Sequence, residues 1–292
     1  MILHSPTALV RSFFCYERKK MQNNKTIWTF WEPKENLPAY LKLCMKTWQK
    51  FLPEYQVIVL DYSNLDNYLG KDFFDPILYQ KFSLPKQADA IRCAVLRKYG
   101  GIWMDCDTII TSDKIRDILS IKSSFVLIGT HVAFIKADKN SPILKQWLKN
   151  IQKNIARYKL FLSKYNFWAF ILNPKYRKRY KRVYKKFKRW DYLGNMLLDR
   201  ILKHYDSNLT YFQSVDKTKM LPELCLTGIS SKQNYQKFYF ESNDISKALN
   251  GNGGLILLHN SWTPDKYLKM NETTFYKQNN TLASVLKTIL KI

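Results

Sequence analysis

The chain has 292 residues, 46% of them hydrophobic and 15% aromatic, enough for one large α/β domain or two small ones with a substantial core. Forty-eight Lys and Arg against 23 Asp and Glu leave a net charge of +25, which points to a polyanionic partner: nucleic acid, an anionic membrane face or a phosphorylated substrate. The cysteines at 15, 44, 93, 106 and 225 form no C-x-x-C pair, which speaks against a zinc framework or a disulfide scaffold and fits a reduced, cytosolic setting.

The N-terminus "MILHSPTALVRSFFCYERKK" carries Arg11 within its apolar part and no small-residue cleavage site, so it reads as an extension, with Met21 an alternative start. "KTIWTFW" (25–31) is a first strand, stopped by Pro33. "PAYLKLCMKTWQKFL" has helical apolar spacing, and "YQVIVLD" (55–61) has the β-branched look of a buried parallel strand ending on an aspartate. "PKQADAIRCAVLRKY" is a helix with Pro85 near its start and Gly100 as its stop, and "GIWMD" is the next strand. "SFVLIGTHVAFIKA" reads as two short strands around Gly129, and "SPILKQWLKNI" begins another helix. This β-α-β-α-β order predicts a layered α/β sheet. Further on, residues 151–190 are basic and aromatic, "WDYLGNMLLDRILKHY" is helical, "GGLILLHNSW" is strand-like, and "LASVLKTILKI" is a small basic amphipathic helix. No apolar run reaches the roughly 20 residues of a membrane span.

"KYGGIWMDCDTII" (98–110) carries Asp105 and Asp107 one residue apart. Sixteen Asp in this length give about one such pair by chance. Position makes the pair more telling, because ligands of open α/β sheets bind beyond the carboxyl ends of the strands. In an extended segment the two side chains point the same way, so both could face one hard cation. Mg²⁺ or Mn²⁺ takes one or two carboxylates plus substrate phosphates, which makes a diphosphate the natural third party. Gly100 reads as a helix stop; Gly100 and Gly101 also permit close backbone approach to a ligand. Asp89 and Arg92, three apart on the preceding helix, are either a surface ion pair or part of the site. Cys106 reads as core.

The run A-D-x-x-R-x-x-x-L-x-x-x-G-G-I-W-x-D-x-D (88–107) resembles the signature of DxD glycosyltransferases of the GT-A fold. The group includes bacterial capsular polysaccharide synthesis proteins, yeast initiating mannosyltransferases (glycosyltransferase family 32-like) and, more remotely, clostridial glucosylating toxins. "IWTFW" (27–31) is similar to the group's first-strand motif, "CMKTWQKFLPEYQVIVLD" to its linking segment, and "LLHNSW" (257–262) to its closing motif. The resemblance implies a GT-A fold with a mostly parallel Rossmann-like sheet and a basic helical insertion. It implies a metal-dependent hexosyltransferase using a nucleotide-sugar, with UDP-sugar the best fit, and a glycan or lipid-linked glycan acceptor. Transfer would proceed with retention, in capsular or other surface polysaccharide synthesis. Asp107 would bind Mn²⁺ or Mg²⁺, and Asp105 would contact ribose or donor sugar and help the metal. Asp89 and Arg92 would hold the donor, Trp28 would stack on the base, and Trp103 would line the nucleotide pocket. Ser261 and Trp262 would touch metal and diphosphate. His259 would be a further metal ligand, in competition with Asn260 and Ser261 for that role.

On this resemblance residues 1–24 are an N-terminal extension and 25–150 the nucleotide-sugar-binding core. Residues 151–205 are a basic helical membrane or acceptor segment, and 206–292 carry the closing motif and a C-terminal amphipathic helix. Asp191 is a candidate for acceptor binding or, more plainly, a helix N-cap. The rival class is a non-enzymatic binder of nucleic acid or membrane, for which "KYRKRYKRVYKKFKRW" (175–190) speaks, its interleaved rings being able to stack on bases. With the apolar "FLSKYNFWAFILN" before it, that run equally suits peripheral attachment to an anionic membrane surface at its cytoplasmic face, and no nucleic acid is expected.

Overall fold

In the computed structural model, which describes residues 25–128, 132–204, 231–249 and 254–292, the apolar runs of the first half become one five-stranded sheet. Its strands are β1 (Thr26–Phe30), β2 (Gln56–Leu60) and β3 (Gly101–Met104), with β5 (Phe125–Leu127) and β6 (Phe134–Ala137). The order is β2-β1-β3-β6-β5. β1 lies parallel to β2 and β3, while β6 runs antiparallel to β3 and β5. Four of the five strands therefore point the same way. This is the layered α/β architecture with a mostly parallel sheet that the sequence predicts, consistent with a GT-A-like fold. Two strands stand apart: β4 (Thr108–Ile110) pairs antiparallel with β7 (Leu255–Leu257), joining the DxD segment to the far end of the chain. Gly129 and residues 1–24 and 205–230 lie outside the described residues, and with them the expected extension, the alternative start at Met21, and Cys15 and Cys225.

Of the helices α1 (Ala39–Phe51), α2 (Leu84–Tyr99) and α3 (Pro142–Ser163), α2 packs on β1 and β3, α3 packs on α2, and α1 packs on β4. α2 has Pro85 in its first turn and stops at Gly100, whose φ of +72° suits glycine. Gly101 serves a close structural approach: a Cβ there would lie 2.6 Å from the Thr26 carbonyl oxygen of β1. α3 packs along α2, and on α2 the polar Gln87, Asp89 and Arg92 are buried along with Ile91 and Val95. It also runs unbroken through residue 150, where the sequence suggests a boundary.

The basic region forms α4 (Phe167–Leu172) and α5 (Pro174–Lys188), followed by α6 (Asn195–His204). α6 starts later than its sequence pattern implies, so Asp191 is not its N-cap. The last helix, α7 (Thr281–Leu290), is a core element, because Leu282, Ala283, Val285, Leu286 and Ile289 are all buried. It joins a second apolar cluster with Tyr40 and Leu43 of α1, Cys106, Ile109 and Ile256. Among the described residues no helix is long and apolar enough to cross a membrane.

Candidate functional site

Parallel strands deliver the residues that follow them to one edge of the sheet. Trp31 follows β1, Asp61 follows β2 and Asp105 follows β3, in a register that pairs Phe30 with Leu60 and Trp28 with Trp103. Trp31 donates its N–H to the Leu60 carbonyl at 3.0 Å, and Thr29 Oγ1 meets Cys106 Sγ at 3.1 Å. Asp61 is buried; burial alone would raise its carboxyl, but the Ser63 hydroxyl and the Lys34 ammonium hold it below its ordinary value.

Asp105 and Asp107 do not lie in an extended strand. They flank a tight turn between β3 and β4, closed by the Thr108 N–H on the Asp105 carbonyl at 2.9 Å. Cys106 is core as expected, held there by the turn. Asp105 Oδ1 accepts the Trp103 indole N–H at 2.8 Å and an ion pair from Arg92 Nη2 at 3.2 Å. The other Asp105 oxygen is the one left for a ligand, on a side chain 34% exposed.

Arg92 is 4% exposed, which removes the surface ion pair from consideration. Its Nη2 also lies 3.6 Å from Asp89 Oδ1, its Nη1 donates to the Val132 carbonyl, and its guanidinium sits 4.9 Å over the Trp103 ring. The planar fork is thus divided among three elements, a task a point charge performs poorly. Asp89 is enclosed from the other side by Gly194, where a Cβ would come within 2.3 Å of Asp89 Oδ2. Burial pushes the Asp89 carboxyl up to about 7, with Arg92 opposing the rise and the charges of Asp105 and Asp191 adding to it.

The closing motif folds over Asp107. β7 ends at Leu257, and a 3₁₀ turn at Asn260–Trp262 brings the Asn260 N–H to Asp107 Oδ2 at 2.6 Å. The Asn260 side-chain oxygen accepts from the Tyr40 hydroxyl of α1, which fixes the turn. Burial pushes the Asp107 carboxyl up to about 7; Asp105 adds to the rise and the Asn260 N–H opposes it. Tyr40 is shifted well upward, first by burial and then by the Asp107 charge.

Three expectations change here. Trp28 is 0% exposed, with its indole N–H on the Gly100 carbonyl at 3.0 Å and its ring between Tyr99, stacked at 5.3 Å, and the edge of Tyr68. No face is left for a base; the half-buried Trp31, at the end of the same strand, stands at the edge instead. His259 packs its ring on Trp262, with centroids 4.2 Å apart, and among the described residues no three His, Cys, Asp or Glu side chains converge as a metal cage. The expected trio of Asp105, Asp107 and His259 is therefore not assembled; of the three competitors in the closing motif, Asn260 touches Asp107. Asp191 is paired by Arg189 through Nε at 2.9 Å and Nη2 at 2.6 Å, close enough to Asp89 to raise it. Trp103 lies beside Asp105 but is buried, Ser261 is exposed on the closing turn, and Trp262 is half-buried. The donor set fits a hard cation: two neighbouring carboxylates, one raised partly by the other's charge, with phosphates and water to complete the shell.

Sequence reasoning passed over Trp31, Asp61, Tyr40 and Gly194. A strand-ending aspartate in "YQVIVLD" and a glycine inside the helical pattern of "WDYLGNMLL" were the available signals; Tyr40 gave none.

A family model described as capsular polysaccharide synthesis protein matches residues 5–241. An O-glycosyltransferase, braB of Annulohypoxylon truncatum, is 27% identical over 164 residues, 47% of this chain and 39% of that protein. The lactosylceramide 4-alpha-galactosyltransferase of Mus musculus is 27% identical over 142 residues, 48% of this chain and 29% of that protein. The chain spans well under half the length of these curated relatives. A solved structure of the PaToxG glycosyltransferase aligns over 73% of this chain and 85% of its own at 17% identity, with a TM-score of 0.35, too loose to bear on the site.

Proposed function

The chain belongs to the capsular polysaccharide synthesis protein family, and from that premise we propose that it is a glycosyltransferase. It takes a sugar from a nucleotide-sugar, a UDP-sugar being the best fit, to a glycan or lipid-linked glycan acceptor in surface polysaccharide synthesis, with retention at the anomeric carbon. The observation that carries this reading is the convergence of Asp105, Asp107, Arg92 and the Asn260 turn at the carboxyl edge of a mostly parallel sheet. The glycosyltransferase names of the two curated relatives support it.

Asp105 and Asp107 would hold Mn²⁺ or Mg²⁺, which when bound supplies Lewis-acid stabilisation of the leaving diphosphate. The chain's own residues do the rest by position. Arg92 and the Trp103 N–H fix one oxygen of Asp105 and leave the other for a ligand. Tyr40, through Asn260, holds the Asp107 carboxylate from the opposite side. Trp31 offers the base an apolar surface where β1 ends. In place of the direct donor contact expected for it, Asp89 acts in this reading as a positioning residue: buried beside Gly194 and paired with Arg92, it orients that guanidinium.

Incubation with a panel of nucleotide-sugars tests the reading. Slow release of nucleoside diphosphate from one of them supports it. No release and no transfer from any member, with or without added glycan, would overturn it.

A further inference from the structure

Residues 139–190 contain seventeen Lys and Arg and not one Asp or Glu, against a net charge of +25 for the whole chain. The structure sorts this segment into two faces. On α5 the rings of Tyr176, Tyr180 and Tyr184 recur every fourth residue and turn inward. Tyr180 stacks on Phe161 of α3 at 4.6 Å, and Phe187, two turns on, meets Tyr158 at 4.6 Å. All nine Lys and Arg of α5 are exposed, and among the described residues none of them is in an ion pair. The rings of α5 are therefore engaged with one another and with α3, and are not free to stack on bases.

The short helix before α5 supplies the other half. Phe167, Trp168, Ile171 and Leu172 follow i, i+1, i+4, i+5, which is one helical face, and they are 55%, 67%, 45% and 74% exposed. The opposite face holds Phe170 against Tyr180. The turn is well made: Asn166 caps α4 by accepting the Ala169 N–H at 2.8 Å, and Asn173 caps α5 by accepting that of Tyr176 at 3.0 Å. Four large apolar side chains on a capped, packed helix are thus held out to solvent beside an unpaired cationic face.

We propose that α4 and α5 form a membrane-docking device whose occupant is an anionic lipid bilayer surface. Phe167, Trp168, Ile171 and Leu172 enter the interfacial region, and the Lys and Arg of α5 lie on the lipid phosphates. The device is fastened to the candidate site. Lys86, three residues before Asp89 on α2, donates its ammonium to the Phe187 carbonyl at the end of α5 at 2.9 Å. Docking would therefore hold the Asp105–Asp107 edge at a fixed height above the bilayer, which suits a lipid-linked acceptor.

Cosedimentation of the full chain with vesicles tests the inference, without donor or transfer, so that its failure is separable from failure of the glycosyltransferase reading. Each cation near an anionic leaflet is worth about fivefold in partitioning, so Lys178→Gln, Lys181→Gln and Lys185→Gln together should weaken binding about a hundredfold. The pair Trp168→Ser and Leu172→Ser should weaken it at least tenfold and abolish a blue shift in tryptophan emission, with unchanged melting temperature in both variants. The parent should bind vesicles containing phosphatidylglycerol at low salt and release them at 1 M salt, where the screening length is about 3 Å. No binding at low salt, equal binding to pure phosphatidylcholine, or indifference to the Trp168 and Leu172 changes would overturn the inference. So would tighter binding to an oligonucleotide than to vesicles, or a tip variant that alters only self-association.

Discussion

Replacing Arg92 by lysine keeps the charge and removes the fork. The guanidinium serves Asp105 at 3.2 Å and Asp89 at 3.6 Å, donates to the Val132 carbonyl and lies over the Trp103 ring. One ammonium on a shorter reach can keep a carboxylate partner but not the carbonyl as well. A charge-assisted hydrogen bond is worth about 1.5–3 kcal/mol, and an unmet buried acceptor costs about 1–3 kcal/mol, so Arg92→Lys should lose about 3 kcal/mol. At about 2–4 °C per kcal/mol for a domain of this size, melting should fall by about 10 °C. With Asp105 no longer fixed, kcat/KM for donor turnover should fall about a hundredfold, equivalent to about 2.7 kcal/mol of barrier. Thermal melting and steady-state kinetics on the same preparation read both numbers. A melting temperature within 2 °C of the parent together with near-normal kinetics would refute the locking role. Lost turnover at unchanged stability would instead place the guanidinium on the donor.

Two further outcomes follow from the same geometry. Trp31→Ala should weaken UDP binding at least fivefold by isothermal titration, since a stacked base is worth about 1–3 kcal/mol, whereas Trp28→Phe should lower the melting temperature and leave the affinity within about twofold; the reverse pattern would return Trp28 to the site. Asp89 titrates in the fold at about 7, above its ordinary value near 4, so its contribution to stability is full below about pH 4 and is lost as the pH rises through 7. Urea denaturation in EDTA should therefore show the parent losing ground to Asp89→Asn between pH 5 and pH 8, and a pH-independent difference would contradict the burial of that carboxyl.

Much of the fold was legible because its signals are local. The periodicity of "QADAIRCAVL", the Pro85 and Gly100 punctuation and the β-branched "YQVIVL" each fixed an element without reference to distant residues. The site was legible where composition and strand ends coincide, as at Asp105 and Asp107. Contacts across the chain account for the rest. The aspartates sit in a turn because β4 pairs with β7, some 150 residues away, and only that pairing carries Asn260 to Asp107. The spacing of Asp89 and Arg92 left a surface ion pair open because their burial depends on Gly194, Val132 and Trp103, which come from elsewhere in the chain. Trp28 and Trp31 could not be told apart by alternation, since a strand covered on both faces has none; being interior or at the end of β1 decides which ring is free. The tail helix α7 is basic only at its last residues, and its apolar positions fill a core that the sequence did not define.

The most direct test of the central claim is release of UDP from the nucleotide-sugar that the parent accepts, measured with Mn²⁺, with EDTA, and with Asp107→Asn. The expected result is turnover with Mn²⁺, none in EDTA, restoration on re-addition of Mn²⁺ or Mg²⁺, and a loss of at least a thousandfold in Asp107→Asn at unchanged or higher melting temperature, because the substitution removes a buried carboxylate. Full turnover in EDTA, or parent-like rates from a folded Asp107→Asn, would contradict it.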